Sequence, residues 1–356
     1  MGVLKVGLVG IGAQMQQNLL PALLQTPDID IVGACDSEAA RVCEIHRFIP
    51  NIATTDSVSS MLDSMSVDAM VIACEPYAQR EISMRAMQRG IGVFVERPPC
   101  STLGELRSLV DMARQCGVRT GVGMNLRFSR PVRQLLELAM SEAFGDTSSI
   151  QLTHYVHQPH SASSERDRAL RSFLLGQALQ TIDLAVTFGG GELVDVQSRV
   201  QRTGEALIVE AECTFSSGAI ASLLLGTTLP HFEFQMKLFG STSTMAELDD
   251  RGNVTVHGAQ PGSYSESTAQ SPLDFGPDRG GYESELHRFF EACRTRTRFE
   301  ADFRSLLATY RIVEAICEAD GATDSAIDSE RDSAAMAEKE RYSSPSADAG
   351  LGRYPH

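Results

Sequence analysis

Residues 6–15 read VGLVGIGAQM and decide the fold of the first part of the chain. An apolar strand pattern ends in Gly10-x-Gly12, and a helical pattern begins directly after it. Gly10 allows the tight turn, and Gly12 lets the backbone approach a pyrophosphate at the positively polarised start of the helix. Met15 stands at the third fingerprint position, where Gly or Ala is usual. A glycine-rich turn without a nucleotide is the alternative. The predicted dinucleotide contacts in this stretch are Gly10, Gly12, Ala13, Gln14 and Met15.

The second strand-like segment, DIDIVGACD, ends at Asp36. An acid at roughly this distance after the glycines accepts hydrogen bonds from the adenosine ribose hydroxyls and repels a 2′-phosphate. NAD(H) is therefore favoured, while NADP(H) stays open because Arg41 lies within reach of such a phosphate. Asp36 could also cap the following helix, and the two roles are compatible. Asp36, Ser37 and Arg41 are the predicted contacts at this end of the cofactor.

Strand and helix patterns alternate through the first third of the chain. Strands are predicted at 5–10, 29–35, 69–74 and 92–96, and helices at 14–24, 39–45, 79–88 and 103–116. The strands are apolar without alternation, which is typical of a parallel sheet covered by helices on both faces. The prediction is an α/β Rossmann domain, a doubly wound parallel sheet, over residues 1–123.

The pattern changes after residue 123, where strands begin to follow one another. Helices are predicted at 132–143, 171–188, 282–294 and 302–319, and strands at 148–157, 194–200, 206–215, 219–226, 233–240 and 253–258. This order predicts an α+β domain over 124–319 with a large open, mainly antiparallel sheet and helices on one of its faces. The Ser-, Gly- and Pro-rich stretch 258–281 is a candidate lid or a merely mobile loop. Residues 320–356 carry eight acidic and four basic residues with few large apolar ones, and we expect a disordered acidic tail.

The composition excludes several classes of partner. The 356 residues have a formal net charge of −15, which disfavours nucleic acid and anionic membrane surfaces. Eight cysteines are scattered without a CxxC pair, and the first residues lack the features of a signal peptide. We therefore expect a cytoplasmic protein that acts on a small molecule.

Three further motifs lie downstream of the glycine turn. They are Cys74-Glu75-Pro76, GIGVFVERP at 90–98, and Asn125-Leu-Arg127-Phe. Over about residues 3–319 the chain resembles the Gfo/Idh/MocA oxidoreductase family. The resemblance implies a substrate pocket between the two domains at the nicotinamide, and a homodimer or homotetramer formed through the C-terminal sheet. It also implies cofactor contacts at Cys74, Glu75, Pro76, Glu96, Arg97 and Asn125.

The chain departs from the family at its usual acid–base residues. Members typically carry Glu-Lys-Pro and a downstream Asp-x-x-x-His on one helix, but here Arg97, Gly176 and Gln180 stand at the Lys, Asp and His positions. Arginine stays protonated and glutamine does not titrate, so neither can exchange a proton near neutral pH. Arg97 can still clamp a carboxylate or phosphate. We keep Arg97 and Gln180 as candidate catalytic and substrate-binding residues.

Replacement groups are present at His154-Tyr155-Val-His157-Gln-Pro-His160. Tyr155 and His157 share one face of the predicted strand, with His154 on the other. We expect a catalytic or substrate-binding role for Tyr155 and His157, with polar residues at a domain edge as the alternative. No metal site is predicted, because an i, i+3 spacing points to opposite faces of a strand.

Arg80, Arg97 and Arg127 are all expected near the nicotinamide and indicate an anionic substrate group. Arg166, Arg168 and Arg171 are interpreted as a solvated helix start. The resulting hypothesis is an NAD(P)-dependent oxidoreductase of specialised metabolism. It would transfer hydride to or from a small polar, anionic metabolite, as a carbonyl/alcohol or an imine/amine pair. The alternative is a redox-inactive family member that keeps the nucleotide fold for a non-redox reaction or for ligand sensing.

Overall fold

The computed structural model describes residues 2–157, 166–203, 206–258, 264–267 and 280–321. Three sequence-based expectations fall largely outside this part of the chain. They concern the acidic tail after residue 321, most of the loop 258–281, and His160.

The first sheet has six strands, all parallel. They are β1 (Leu4–Val9), β2 (Ile29–Cys35), β3 (Ala53–Thr55), β4 (Ala69–Ile72), β5 (Gly92–Val95) and β6 (Thr120–Val122). Their order is β3-β2-β1-β4-β5-β6, with parallel pairing at every step. Every residue of β4 and β5 is buried, as the apolar runs predicted. The Rossmann prediction is confirmed, and the reversal of strand order beside β1 places the crevice at the end of the glycine turn.

Helices cover this sheet, and the first begins irregularly. A π-helical turn (Met15–Leu19) precedes α1 (Leu20–Gln25), and α2 (Ala39–Ile45), α3 (Val58–Ser64), α4 (Pro76–Gln88) and α5 (Leu103–Cys116) follow. The bounds of α2 and α5 match the prediction. A capping box between Thr102 and Glu105 starts α5, and Gly117 in the left-handed region ends it. Strands β3 and β6 were not predicted, because strands of three residues are too short to show a period, and helix α3 was not predicted either.

The second sheet has eight strands among the described residues. They are β7 (Thr147–Tyr155), β8 (Leu193–Thr203), β9 (Ala206–Phe215), β10 (Ile220–Gly226), β11 (Glu233–Gly240), β12 (Met245–Asp249), β13 (Val254–His257) and β14 (Tyr264–Ser267). Their order is β14-β13-β12-β11-β7-β10-β9-β8, parallel between β7 and β10 and antiparallel at the other pairs. The predicted mainly antiparallel sheet is confirmed, with β12 and β14 added.

The helices of the second half do not form one unbroken run. A 3-10 turn (Asn125–Phe128) precedes α6 (Arg130–Ala139), and α7 (Arg166–Phe173) and α8 (Leu179–Gly189) flank a second π-helical turn (Leu174–Ala178). The chain closes with α9 (Tyr282–Thr295), a 3-10 turn (Phe303–Leu306) and α10 (Leu307–Ala319). The single helix predicted at 171–188 is therefore wrong in its start and in its continuity. An apolar stripe does not reveal one inserted residue.

One face of the second sheet is covered and the other is open. Helices α8 and α10 pack on the covered face. In β7 the covered positions are Ile150, Leu152 and His154, whereas Gln151 between them is exposed. This alternation decides which β7 side chains can reach the cleft between the two sheets.

Helix α9 and the turn after it join the two sheets. The Phe289 ring meets the Phe94 ring of β5 edge to face, with centroids 5.4 Å apart. The backbone N–H of Val122 donates to the Ala301 carbonyl at 2.8 Å, and the Tyr310 hydroxyl donates to the Cys100 carbonyl at 2.7 Å. Residues after 280 thus fix the edge of the Rossmann sheet as well as the second domain. Among the described helices, none is long and apolar enough to span a bilayer.

Candidate functional site

The glycine turn after β1 needs its two glycines for different reasons. Gly10 has φ +80°, and a Cβ there would lie 2.3 Å from the Ala73 carbonyl oxygen. A Cβ on Gly12 would meet only the Arg41 guanidinium, at 3.9 Å. The fold itself therefore requires Gly10. The space above Gly12 is open in the described structure, so a ligand could lie close to the backbone there.

Asp36 ties this turn to the end of β2. Its carboxylate is 5% exposed and accepts hydrogen bonds from the Ile11 N–H at 2.7 Å and the Glu38 N–H at 2.8 Å. Arg41 lies 3.9 Å from the same carboxylate and pairs with Glu38 at 3.0 Å. Ser37 is exposed beside them. Asp36 thus supports the segment that leads into α2, but the expectation that it caps this helix is wrong, because Glu38 is the N-cap residue and no side chain caps it.

A network of side chains lies at the other end of the turn, where Ala13 and the buried Met15 begin the first helix. Gln14 donates to Glu96 Oε1 at 3.0 Å and to the Tyr282 hydroxyl at 3.4 Å. Glu96 is 8% exposed, and its burial raises the pKa of its carboxyl despite the hydrogen bond from Gln14 and the nearby charge of Arg97. Gln14 and Glu96, both predicted cofactor contacts, are therefore direct neighbours in the structure.

Residues 74–76 line the same edge of the sheet. Glu75 is the N-cap of α4 and Pro76 its first residue. The Cys74 sulfur would lie 2.7 Å from a Cβ on Gly10, so it packs against the glycine turn. Of the three predicted contact residues, Cys74 thus borders the turn, and Glu75 and Pro76 begin the helix that follows.

Arg97 projects across the cleft to the second domain. Its guanidinium donates to the Gly176 carbonyl at 2.7 Å, within the second π-helical turn. This is the only hydrogen bond of that guanidinium with described residues, and the side chain is only partly buried. Arg97 therefore keeps donors for a ligand.

Gln180 and Asn125 are joined by a hydrogen bond between their side chains. The Gln180 amide donates to Asn125 Oδ1 at 3.0 Å and accepts from the Leu126 N–H at 3.0 Å, while Asn125 donates to the Gly280 carbonyl at 2.7 Å. Both side chains are buried. Gln180 thus links α8 to the turn after β6.

Arg127 is committed to a buried ion pair. Its guanidinium contacts both Asp183 carboxylate oxygens at 2.5 Å and donates to the Glu300 carbonyl at 2.8 Å. Thr309 adds a third bond to Asp183, at 3.0 Å. We expected Arg127 at the substrate, and this placement corrects that expectation: its donors are directed into the protein.

Arg80 also has carboxylate neighbours. It lies 2.5 Å from Glu81 and 3.6 Å from Glu105 at the start of α5. The expected pocket lined by three arginines is therefore reduced to Arg97. Arg171, expected on a solvated helix start, is instead 8% exposed and paired with Glu314 at 2.7 Å.

The alternation along β7 places His154, and not Tyr155, on the face covered by α8. His154 is 7% exposed, its Nδ1 lies 2.8 Å from the Thr181 hydroxyl, and burial and the charge of Arg97 lower its pKa to about 4. Tyr155 pairs with Gly226 and Glu233 on the open face, where burial and then the charges of Glu233 and Glu210 raise its pKa.

The roles predicted for Tyr155 and His157 therefore need correction. Tyr155 lies on the face of the sheet opposite to His154, and His157 is exposed beyond the end of β7. The sequence does carry a signal for His154, since this residue continues the alternation set by the apolar residues Ile150 and Leu152. Tyr282 and Glu285, also missed, follow a long irregular stretch that gives no such signal.

Comparison with known proteins places this geometry in a family. A sequence model described as an oxidoreductase family with an NAD-binding Rossmann fold, GFO_IDH_MocA, matches residues 4–124. A dehydrogenase from Chromobacterium violaceum, known from its crystal structure, is 51% identical and superposes with a TM-score of 0.86 over 95% of this chain and 99% of that chain. The chain belongs to the Gfo/Idh/MocA family.

Two curated relatives carry named activities. One is 1-carboxy-3-chloro-3,4-dihydroxycyclo hexa-1,5-diene dehydrogenase of Comamonas testosteroni, 23% identical over 227 residues, which are 62% of this chain and 57% of that protein. The other is D-glucoside 3-dehydrogenase of Escherichia coli, 23% identical over 143 residues, 40% of this chain and 41% of that protein. The chain spans about half the length of these relatives.

This Gfo/Idh/MocA member also buries a second carboxyl next to the site. Glu285 of α9 is fully buried; one oxygen accepts from the Met124 N–H at 2.6 Å, and the other has no hydrogen-bond partner among the described residues. Burial and then the charge of Glu96 raise the pKa of Glu285 well above its usual value. Within the described residues, no group of three His, Cys, Asp or Glu side chains could hold a metal ion.

Glu285→Gln tests whether this carboxyl is protonated in the folded protein. A carboxyl whose folded pKa is raised stabilises the fold below its unfolded pKa of about 4.3 and loses that contribution as pH rises toward the folded pKa. The variant has no carboxyl here and does not lose stability in this way. The melting temperature of the variant minus that of the parent should therefore increase as the pH rises from about 5 to about 8. Glu285→Ala is the contrast, since it leaves the Met124 N–H unpaired and should destabilise by about 1–3 kcal/mol. A pH-independent difference for Glu285→Gln would show that Glu285 is ionised.

Proposed function

We propose that the protein is an NAD(H)-dependent oxidoreductase that interconverts an alcohol and a carbonyl on a small, polar, anionic metabolite. The observation that carries the proposal is the glycine turn. Asp36 pins the turn to β2, and a Cβ at Gly12 would enter a space that no described side chain fills. Family membership supports a dinucleotide as the occupant.

The residues around the turn fit such a cofactor. Gly12, Ala13 and Gln14 would lie along the pyrophosphate, and Asp36 and Ser37 would lie at the adenosine ribose. NAD(H) is proposed over NADP(H), because Asp36 carries a negative charge there and Arg41 is already paired with Glu38 at 3.0 Å. Glu96 and Asn125 would border the nicotinamide, which supplies or accepts hydride when bound.

Gly12→Ala is expected to separate cofactor binding from folding. Its φ is ordinary and its Cβ is unobstructed, so unfolding free energy should change by less than about 0.5 kcal/mol. NADH affinity, measured by nicotinamide fluorescence, should fall at least about tenfold, because the methyl group occupies the open space there. Gly104→Ala on the exposed side of α5 is the control. The parent protein should bind NADH more tightly than NADPH.

The same samples decide between turnover and a redox-inactive role. Loss of nicotinamide absorbance is followed against a panel of polyhydroxylated keto acids, aldehydes and imines. Turnover with at least one carbonyl compound is expected. Tight NADH binding without any turnover would favour a non-redox or sensing role, and absence of binding would overturn the cofactor proposal.

Arg97 supports an anionic substrate. Its guanidinium has one hydrogen bond with described residues, to the Gly176 carbonyl, and a guanidinium with free donors binds a carboxylate through two parallel hydrogen bonds. The dehydrogenase of Comamonas testosteroni acts on a substrate whose name includes a carboxyl group. An iminium substrate is disfavoured because Arg97 would repel its positive charge.

An affinity comparison tests this role of Arg97. With NADH bound, glycerate, gluconate and tartrate should bind more tightly than their neutral amides, by about tenfold to a hundredfold. Arg97→Gln should remove the difference, whereas Arg114→Gln on the exposed face of α5 should retain it. Equal affinities for acids and amides in the parent protein would contradict the proposal.

We also propose that the protein forms a homodimer or homotetramer through the open face of the second sheet. Gln151, Thr153, Ser222 and Leu224 line a broad concavity on that face. A sheet face of this extent with partly apolar side chains is commonly covered by another subunit.

Leu224→Glu tests the assembly. The new carboxylate lies opposite Glu210 on β9, so like charges would accumulate on the face. The parent protein should sediment with at least twice the protomer mass of 38.6 kDa, and the variant with the protomer mass. Ser108→Glu on α5 is the control. A monomeric parent protein would overturn this proposal.

The reducing cytoplasm is the proposed location. All eight cysteines lie in the described residues, and none forms a disulfide. Burial raises the pKa of the Cys35, Cys213 and Cys293 thiols to about 12, which keeps them unreactive.

A further inference from the structure

We infer that His154, positioned by Thr181, is the catalytic residue that exchanges a proton with the substrate hydroxyl. The inference rests on the proposed alcohol/carbonyl function and names a group that the family's usual motifs do not contain. It follows from what reaches the cleft in this chain once Lys and His have been replaced by Arg97 and Gln180.

The geometry of His154 is that of a held imidazole with one nitrogen left for a ligand. Nδ1 lies 2.8 Å from the Thr181 hydroxyl of α8, while Nε2 is buried and has no hydrogen-bond partner among the described residues. The Phe232 ring meets the imidazole edge to face at 5.5 Å. A buried nitrogen without a partner is unfavourable unless something else completes its hydrogen bonding.

Other titratable groups near the cleft are less suited to the task. The Glu96 carboxyl accepts from Gln14 and from the Arg97 N–H, and Glu285 binds the Met124 N–H. The Tyr282 hydroxyl is bonded to Gln14, and burial raises its pKa above its usual value of about 10. His154 is the imidazole on the covered face of β7, next to Arg97.

A bound oxidised nicotinamide would supply the hydride acceptor for the substrate C–H electron pair. In the oxidation direction His154 Nε2 would accept the O–H proton as the C=O bond forms. Nδ1–H donates to the Thr181 oxygen during this step, which fixes the required tautomer. The imidazolium then releases its proton to water. In reduction the same atoms run in reverse.

Arg97 adjusts the basicity of His154 in this scheme. The groups that face the ring are the Thr181 hydroxyl, the Phe232 ring and the charge of Arg97; burial and then this charge lower the His154 pKa to about 4. A substrate anion on Arg97 would neutralise the charge. The pKa of His154 should then rise toward the working pH, where a general base is most effective.

The first test follows the His154 imidazole by NMR and does not depend on turnover. His154 should titrate near pH 4 in the parent protein and closer to its usual pKa of about 6.5 in Arg97→Met. His154→Gln identifies the resonance. An unchanged pKa in Arg97→Met would overturn the coupling to Arg97.

The second test uses a substrate found in the panel above. His154→Gln should lower kcat at least about 100-fold while NADH affinity stays within about threefold. Thr181→Val should lower kcat less than His154→Gln does and should shift the pH profile, because Nδ1 of His154 then has no hydroxyl partner that fixes the tautomer. His287→Gln on the exposed side of α9 is the control.

The outcomes separate this inference from the proposed function. Full activity in His154→Gln, or loss of activity in Tyr282→Phe alone, would overturn the role of His154 while leaving the dehydrogenase intact. Absence of NADH binding in the parent protein would count against the dehydrogenase itself, and the NMR result would still decide the coupling between His154 and Arg97.

Discussion

The buried ion pair between Arg127 and Asp183 joins the two domains, and the arrangement of the candidate site depends on this contact. Arg127 follows β6 of the first sheet, and Asp183 lies on the helix that covers the second. Truncation of one partner of such a pair typically costs about 3–5 kcal/mol, because the other charge remains buried. Asn125 and Gln180 belong to the same two elements, so the hydrogen bond between their side chains depends on the relative position that the ion pair sets. The carbonyl that receives Arg97 is one helical turn before Gln180 and is placed by the same contact.

The sequence was sufficient for the architecture because the architecture rests on local patterns. The glycine turn, the unbroken apolar strands and the capping signals of α5 all act within a few residues. The site is different, since its partners come from distant segments. Arg127 was expected at the substrate because no local pattern reveals Asp183, 56 residues away, as its partner. His154 was misjudged because a histidine at an apolar position of β7 looks like an exception until the covering helix with Thr181 is known.

The replacement of a lysine by Arg97 changes where charge and proton reside in the cleft. An arginine holds a permanent charge and can orient an anion but does not exchange a proton near neutral pH, so in our proposal the two tasks that a lysine can combine are divided between Arg97 and His154. The division suits a chain with a net charge of −15, in which Arg97 provides a local positive site and a neutral imidazole stays close to it. Burial raises the pKa of the Glu96 and Glu285 carboxyls, so both favour the neutral form and add little negative charge to this part of the site.

Two π-helical turns, Met15–Leu19 and Leu174–Ala178, border this cleft from opposite sides. Each widens its helix by one residue, and a single inserted residue rotates every later side chain by about 100° around the axis. The face that α8 presents is consequently out of phase with the face of α7. Relatives that keep this helix regular must be compared with it across a one-residue gap. An alignment without that gap would pair side chains that point into different parts of the molecule.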